Sequence, residues 1–233
     1  MYYGFDWTYL LVIIGAVICL LASANVNRTY KKFSSVQSAS GMTGAEAAAR
    51  ILSMSGVHDV TIEHVSGQLT DHYDPKAKVV RLSDATYGSS SVAAVGVAAH
   101  ECGHVLQHHE GYLPLNIRTA LVPVANIGSK VGLPLVVVGL IIGYFKPLIT
   151  IGIFLFFFAV LFQVVTLPVE FNASSRGLKL LETSGALGQE ELAMSKKVLT
   201  AAALTYVAAA ASSVMQLLRL LMLSGRGSRR RHY

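Results

Sequence analysis

The stretch AAHECGHVLQHH, residues 98–109, constrains this chain more than any other. It contains H-E-x-x-H as His100, Glu101, Cys102, Gly103 and His104. Residues four apart on an α-helix lie one above the other on the same face. A helix here sets the imidazoles of His100 and His104 side by side, close enough to share one Zn²⁺ at Zn–N distances of about 2.0–2.1 Å. Glu101 lies one step round, where a carboxylate can reach a water on the metal without being a ligand, as a general base must. Cys102 points to the back of the helix and is not expected to coordinate. The preceding run SVAAVGVAA, residues 91–99, is small and apolar on every side and reads as a buried helix. Polar groups ending such a helix need partners, because burying them unpaired is costly.

A catalytic zinc needs a third protein ligand and an open position. His108 extends the row from His100, but at about 12 Å along the axis it cannot share the same ion. A third histidine after a glycine turn would need Gly at 107 and His at 110; Gln107 and Glu110 stand there instead. The remaining route is a distant carboxylate.

Composition says where that carboxylate is to be sought. Of 233 residues 53% are hydrophobic and only 14% charged, against about 25% charged in an average soluble domain. The chain therefore reads as a multi-pass α-helical membrane protein. The net charge of +6 is clustered in Arg28, Lys31 and Lys32 and in Arg226, Arg229, Arg230 and Arg231. It is read as charge beside anionic lipid head groups rather than as a nucleic-acid surface, since no aromatic-interleaved basic stretch accompanies it. Cys19 and Cys102 suggest no disulfide framework.

Taken in order, residues 1–26 form an uncleaved transmembrane anchor, with a charge-free run from Trp7 and the basic residues after it. By the positive-inside bias, the region from Arg28 is cytoplasmic. Residues 27–120 form the motif-bearing region. Within it 43–54 is a short helix capped by Thr43 and Glu46 and ended by Gly56. Segments 60–65, 68–73 and 78–83, separated by turns at 66–67 and 74–77, read as a small antiparallel sheet. Its last strand, with Val79, Val80, Arg81 and Leu82, is a candidate for binding an extended peptide by strand addition. His58, His64 and His72 read as surface or sheet residues. Residues 121–168 read as a transmembrane helical hairpin, broken at Lys146-Pro147. A hairpin returns the chain to the side it left, so Glu170 emerges on the side of His100 and His104. Glu170 is the candidate third ligand; Glu182, Glu190 and Glu191 are further candidates among surface-like residues. A helix over about 169–181 would carry Glu170, Asn172, Ser174 and Arg176. Residues 169–223 include this helix and an Ala-rich one whose Tyr206 is a candidate donor to a developing oxyanion. Residues 198–218 of that second helix are long enough to span or to lie at the interface. Residues 224–233 are a basic tail.

The stretches LTDHYDPKAKVVRLS, VGVAAHECGHVLQHH, LPVEFNASSRGLKLL and AAALTYVAAAASS together resemble the YugP-like neutral zinc metallopeptidases of bacterial membranes. The resemblance covers most of the chain beyond the anchor. It implies His100, His104 and Glu170 as zinc ligands and Glu101 as catalytic. The layout is also similar to the larger heat-shock and prenyl-protein membrane proteases, which place a helical hairpin between motif and third ligand. Those carry E-x-x-x-D, whose Asp orients a motif histidine; Ser174 stands at that position here, which points to Asn172 or Ser174 for the task.

The expectation is therefore a helical membrane protein with a zincin-like α+β catalytic domain, a small sheet and the H-E-x-x-H helix. It holds one Zn²⁺ per chain and cleaves peptides or membrane proteins, as an endopeptidase of the gluzincin type. The competing reading is a zinc-binding membrane scaffold or sensor without hydrolysis; Glu101 separates the two, since structural zinc does not require it. A zinc transporter would want polar ligands inside its spans and ranks last.

Overall fold

A computed structural model of the chain describes residues 6–229, with side chains described as far as Gly225. The first residues of the expected anchor, and Arg230 and Arg231 of the basic tail, lie outside the described residues. The charge-free run after Trp7 continues through the basic cluster as one helix, α1 (Tyr9–Phe33). Then come α2 (Gly44–Met54), β1 (Thr61–Val65), β2 (His72–Asp74), β3 (Val79–Ser83) and α3 (Val92–His109). α4 (Leu113–Ile127) and α5 (Leu133–Ile141) follow, joined by a π-helical turn at Gly128–Gly132. Two long helices end the chain, α6 (Lys146–Ser184) and α7 (Gln189–Arg229). Four of these stretches, Tyr9–Phe33, Leu113–Ile141, Lys146–Ser184 and Gln189–Gly225, are long and apolar enough to cross a membrane. Helices suit that task because each satisfies its own backbone hydrogen bonds where no water can.

The chain divides into two compact units. One comprises Ser23–Leu115 and Pro168–Leu204. In it, Thr43 and Glu46 make the capping box that starts α2, and Ser91 caps α3 by accepting from the Ala94 amide. Gly56, at φ 72°, lets the chain turn away after α2. The core is built from Ile51 and Leu52 of α2, Val80 and Leu82 of β3, Val95, Ala99 and Val105 of α3, and Leu181 of α6.

The sheet of this unit is mixed, with strand order β1-β3-β2, which corrects the antiparallel sheet expected. β2 pairs antiparallel with β3 through the loop after Asp74, whose Oδ1 accepts from the amides of Lys76 and Ala77. β1, however, pairs parallel with the other edge of β3. Ser66-Gly67 is no hairpin turn: Asp84 accepts from the Gly67 amide at 2.8 Å and Asp71 from that of Ser83 at 2.8 Å, so 66–71 is strapped to the end of β3. The strand with most apolar surface takes the centre, and Val79, Val80 and Leu82 are buried there.

The other unit comprises residues up to Ala22, Asn116–Leu167 and from Thr205 on. α4 and α5 run antiparallel to the first half of α6 at backbone contact. A Cβ on Gly128 would strike the Leu155 carbonyl, and one on Gly139 would lie 2.8 Å from Ile149. α1 and α7 likewise run antiparallel, with Gly15 against Ser212 and the Arg219 guanidinium 4.1 Å over the Tyr9 ring. The hairpin break falls at Gly143 and Tyr144, both at positive φ, just before Lys146. The ligand-bearing stretch expected over 169–181 is not a separate helix: α6 runs unbroken through Pro168 to Ser184.

Candidate metal centre

Helix α3 carries His100 and His104 on one face, with ring centroids 4.7 Å apart and planes 86° apart. Opposite them α6 presents Glu170, which is 2% exposed. Its Oε2 lies 3.4 Å from His100 Nε2 and 3.7 Å from His104 Nε2. One donor atom from each of the three residues falls within 4.8 Å of the others. Two imidazole nitrogens and a carboxylate oxygen are a donor set that suits zinc and leaves a fourth position open.

The helices come this close because glycine stands at their crossing. A Cβ on Gly103, inside the motif, would collide with the Ala173 carbonyl, and one on Gly177 would lie 2.7 Å from the Ala99 carbonyl oxygen.

Both imidazoles are held from behind. His100 Nδ1 lies 3.0 Å from Ser174 Oγ, and His104 Nδ1 lies 3.0 Å from Gln107 Oε1. Gln107 is fully buried, and its Nε2 donates to the Val169 carbonyl at 2.8 Å and to Asn172 Oδ1 at 2.9 Å. Asn172 Oδ1 also accepts from Arg176 Nε at 2.7 Å, and Arg176 Nη1 donates to Glu110 at 2.7 Å. The ends of this chain are unambiguous: a guanidinium only donates and a carbonyl only accepts. Both amide orientations follow, so Gln107 turns an acceptor to His104, whose Nδ1 carries the proton. That leaves His104 Nε2 as the ring nitrogen that faces Glu170. Orienting partners of this kind fix ring and tautomer in metal sites.

Electrostatics agrees with the geometry. Burial pulls the His104 imidazolium down in pKa, but its hydrogen bond to Glu170 and the charges of Glu101 and Glu170 outweigh this and leave it above the ordinary value. Burial, and then the neighbouring charge of Glu101, push the Cys102 thiol far above its usual range. Its Sγ faces the Ala48 carbonyl, away from the histidines, as a residue at the back of the helix should.

The family described as "Putative neutral zinc metallopeptidase" matches residues 8–225. The chain belongs to this family. It is 48% identical over 202 residues to "Putative membrane protease YugP" of Bacillus subtilis (strain 168), covering 87% of this chain and 89% of the relative. No solved structure matches. Membership with four apolar helices of spanning length makes the chain a membrane protein of a zinc metallopeptidase family.

The remaining candidates are placed as follows. Glu101 is 8% exposed on α3. Glu182 accepts from Gln189, and Glu191 accepts from the amides of Ala39 and Gly188, so neither joins the histidines; Glu190 is exposed in the first turn of α7. His108 lies 3.4 Å from the Tyr73 hydroxyl, outside the cluster. Tyr206 is half-buried on α7, in the other unit. Strand addition at Val79, Val80, Arg81 and Leu82 is not available: β3 is central, with β1 on one edge and β2 on the other. Gln107 and Arg176 are the residues that sequence reasoning passed over as supports. The only signal for Gln107 is its i+3 spacing from His104.

Proposed function

We propose that the chain is a membrane-embedded zinc endopeptidase of the gluzincin type, in which His100, His104 and Glu170 hold one ion and Glu101 moves the proton. The observation that carries this reading is the convergence of two imidazoles and one buried carboxylate within 4.8 Å, on a helix whose next residue after His100 is a second carboxylate. Zinc held there supplies a Lewis acid for the scissile carbonyl and lowers the pKa of water. The rest falls to the chain's own groups. Ser174 and Gln107 keep the Nε2 atoms of His100 and His104 turned inward. Glu170 provides negative charge against the cation, and its burial keeps water from competing for its oxygens. Glu101 accepts the proton of the attacking water and passes it to the leaving amine.

The two histidines lie between the end of α1 and the start of α4, and Glu170 lies in the C-terminal half of α6, toward its connection to α7. With four spans they fall on the same side, and Arg28, Lys31 and Lys32 make that side cytoplasmic by the positive-inside bias. The substrates on this reading are peptides or membrane proteins. The test is Glu101→Gln in full-length protein, assayed for casein cleavage and zinc content. Cleavage should vanish while zinc stays. Retained cleavage would show that Glu101 is not the base, and loss of zinc from a folded variant would make Glu101 a ligand; either result ends this assignment.

A further inference from the structure

We infer that the cleft between the C-terminal end of α1 and the start of α7 binds the phosphate head group of an anionic phospholipid. The cleft has a volume of about 770 Å³ and is lined by Arg28 and Lys32 from α1 and by Lys196 and Lys197 from α7. Asn25, Arg28, Thr29 and Lys32 recur at spacings of three and four residues on α1, so they form one stripe. Lys196, Thr200 and Leu204 do the same on α7. The two stripes face each other with four cations and no carboxylate in the lining. Among the described residues none of the four pairs with an acid. Like charges facing across a cleft repel, and a shared anion removes that cost. The same cleft has apolar walls in Phe33 and Leu204, and Leu204 is 44% exposed. An inorganic anion has no use for such walls, whereas the glycerol and first acyl carbons of a lipid do. Both helices are themselves of membrane-spanning length and composition, which places an acyl chain within reach of the head group. Basic pockets between membrane helices take anionic head groups by this chemistry. An acidic peptide would match the charges but not the membrane setting.

The experiment uses full-length protein reconstituted in nanodiscs of phosphatidylcholine with phosphatidylglycerol. The protein is then moved to mild detergent, and retained lipid is counted by mass spectrometry. Wild type should keep phosphatidylglycerol in preference to phosphatidylcholine. Each basic residue adds about fivefold to binding at an anionic surface, so the combined R28Q, K32Q, K196Q and K197Q variant should bind about 600-fold more weakly and lose its preference for phosphatidylglycerol. If the combined variant misfolds, judged by melting, the pair R28Q and K197Q carries the test, with at least a severalfold loss expected. A control that removes Arg50 and Lys76, both exposed elsewhere on this unit, should bind as wild type does. Separate arms add inorganic phosphate or an acidic peptide. Displacement by millimolar phosphate would make this a free-anion site, and displacement by the peptide a peptide site; either overturns the proposal. So does equal retention by the variant and wild type, or equal retention of the two lipids by wild type.

Discussion

Replacing Gln107 with Met isolates what the buried amide does for the metal. The two side chains are similar in length and volume, so packing changes little, but three hydrogen bonds go: to His104 Nδ1 at 3.0 Å, to the Val169 carbonyl at 2.8 Å and to Asn172 at 2.9 Å. Asn172 keeps its Arg176 donor. The His104 N–H keeps nothing, and a buried donor left unsatisfied costs about 1–3 kcal/mol. Freed of its acceptor, the imidazole can turn or change tautomer, and loss of such an orienting partner lowers metal affinity by about 10–100-fold. The assay is zinc competition against a chelator of known affinity, run beside thermal melting of the metal-free protein. Nitrogen NMR of His104 adds the tautomer directly: one protonated Nδ1 in the wild type, a mixture in the variant. If the variant is less stable yet binds zinc within twofold of wild type with an unchanged tautomer, Gln107 is a packing bond only and the positioning argument fails.

Glu170→Ala should lower zinc affinity by far more than tenfold, because a typical catalytic site has just three protein ligands, while Glu182→Ala should leave zinc content unchanged; the reverse pattern in folded protein would hand the ligand role to Glu182. A cysteine placed at the exposed Ser66 should resist a membrane-impermeant thiol reagent in intact cells and react once cells are opened. Labelling in intact cells would reverse the orientation proposed for the site.

What the residues disclosed depended on whether local chemistry or distant partners decided the outcome. The α3 helix was legible because its small apolar run and the motif act within a few residues, and the same holds for the Thr43 and Glu46 box on α2. The sheet was not, because Ser66-Gly67 has the composition of a tight turn, and only Asp71 and Asp84, reaching back to the end of β3, reveal that the chain crosses instead. The unbroken α6 was hidden for two reasons. Pro168 looks like a stop, yet proline is tolerated in helices whose neighbours resatisfy the backbone. The polar run NASSR looks like a surface exit, yet Asn172, Ser174 and Arg176 are turned toward α3 and its C-terminal cap.

That inward polarity also explains why the three donors can meet at all. On α3 the working residues are His100, Gly103, His104 and Gln107; on α6 they are Glu170, Ala173, Ser174 and Gly177. Each set follows the same offsets of three, four and seven, which is one stripe down one face of a helix. The stripes are matched in antiparallel order: His100 meets Ser174, Gly103 meets Ala173, and Gln107 meets Val169 and Asn172. Small residues at 103, 173 and 177 are therefore part of the candidate metal site although none has a side-chain donor atom. Imidazole and carboxylate side chains are short, and they converge within 4.8 Å only if the two backbones touch. A larger residue at 103 would collide with the Ala173 carbonyl and lift Glu170 away from the histidines. Position 103 of the motif is thus set by α6, and E-x-x-A-S-x-x-G on the partner helix is the complement to seek beside H-E-x-x-H.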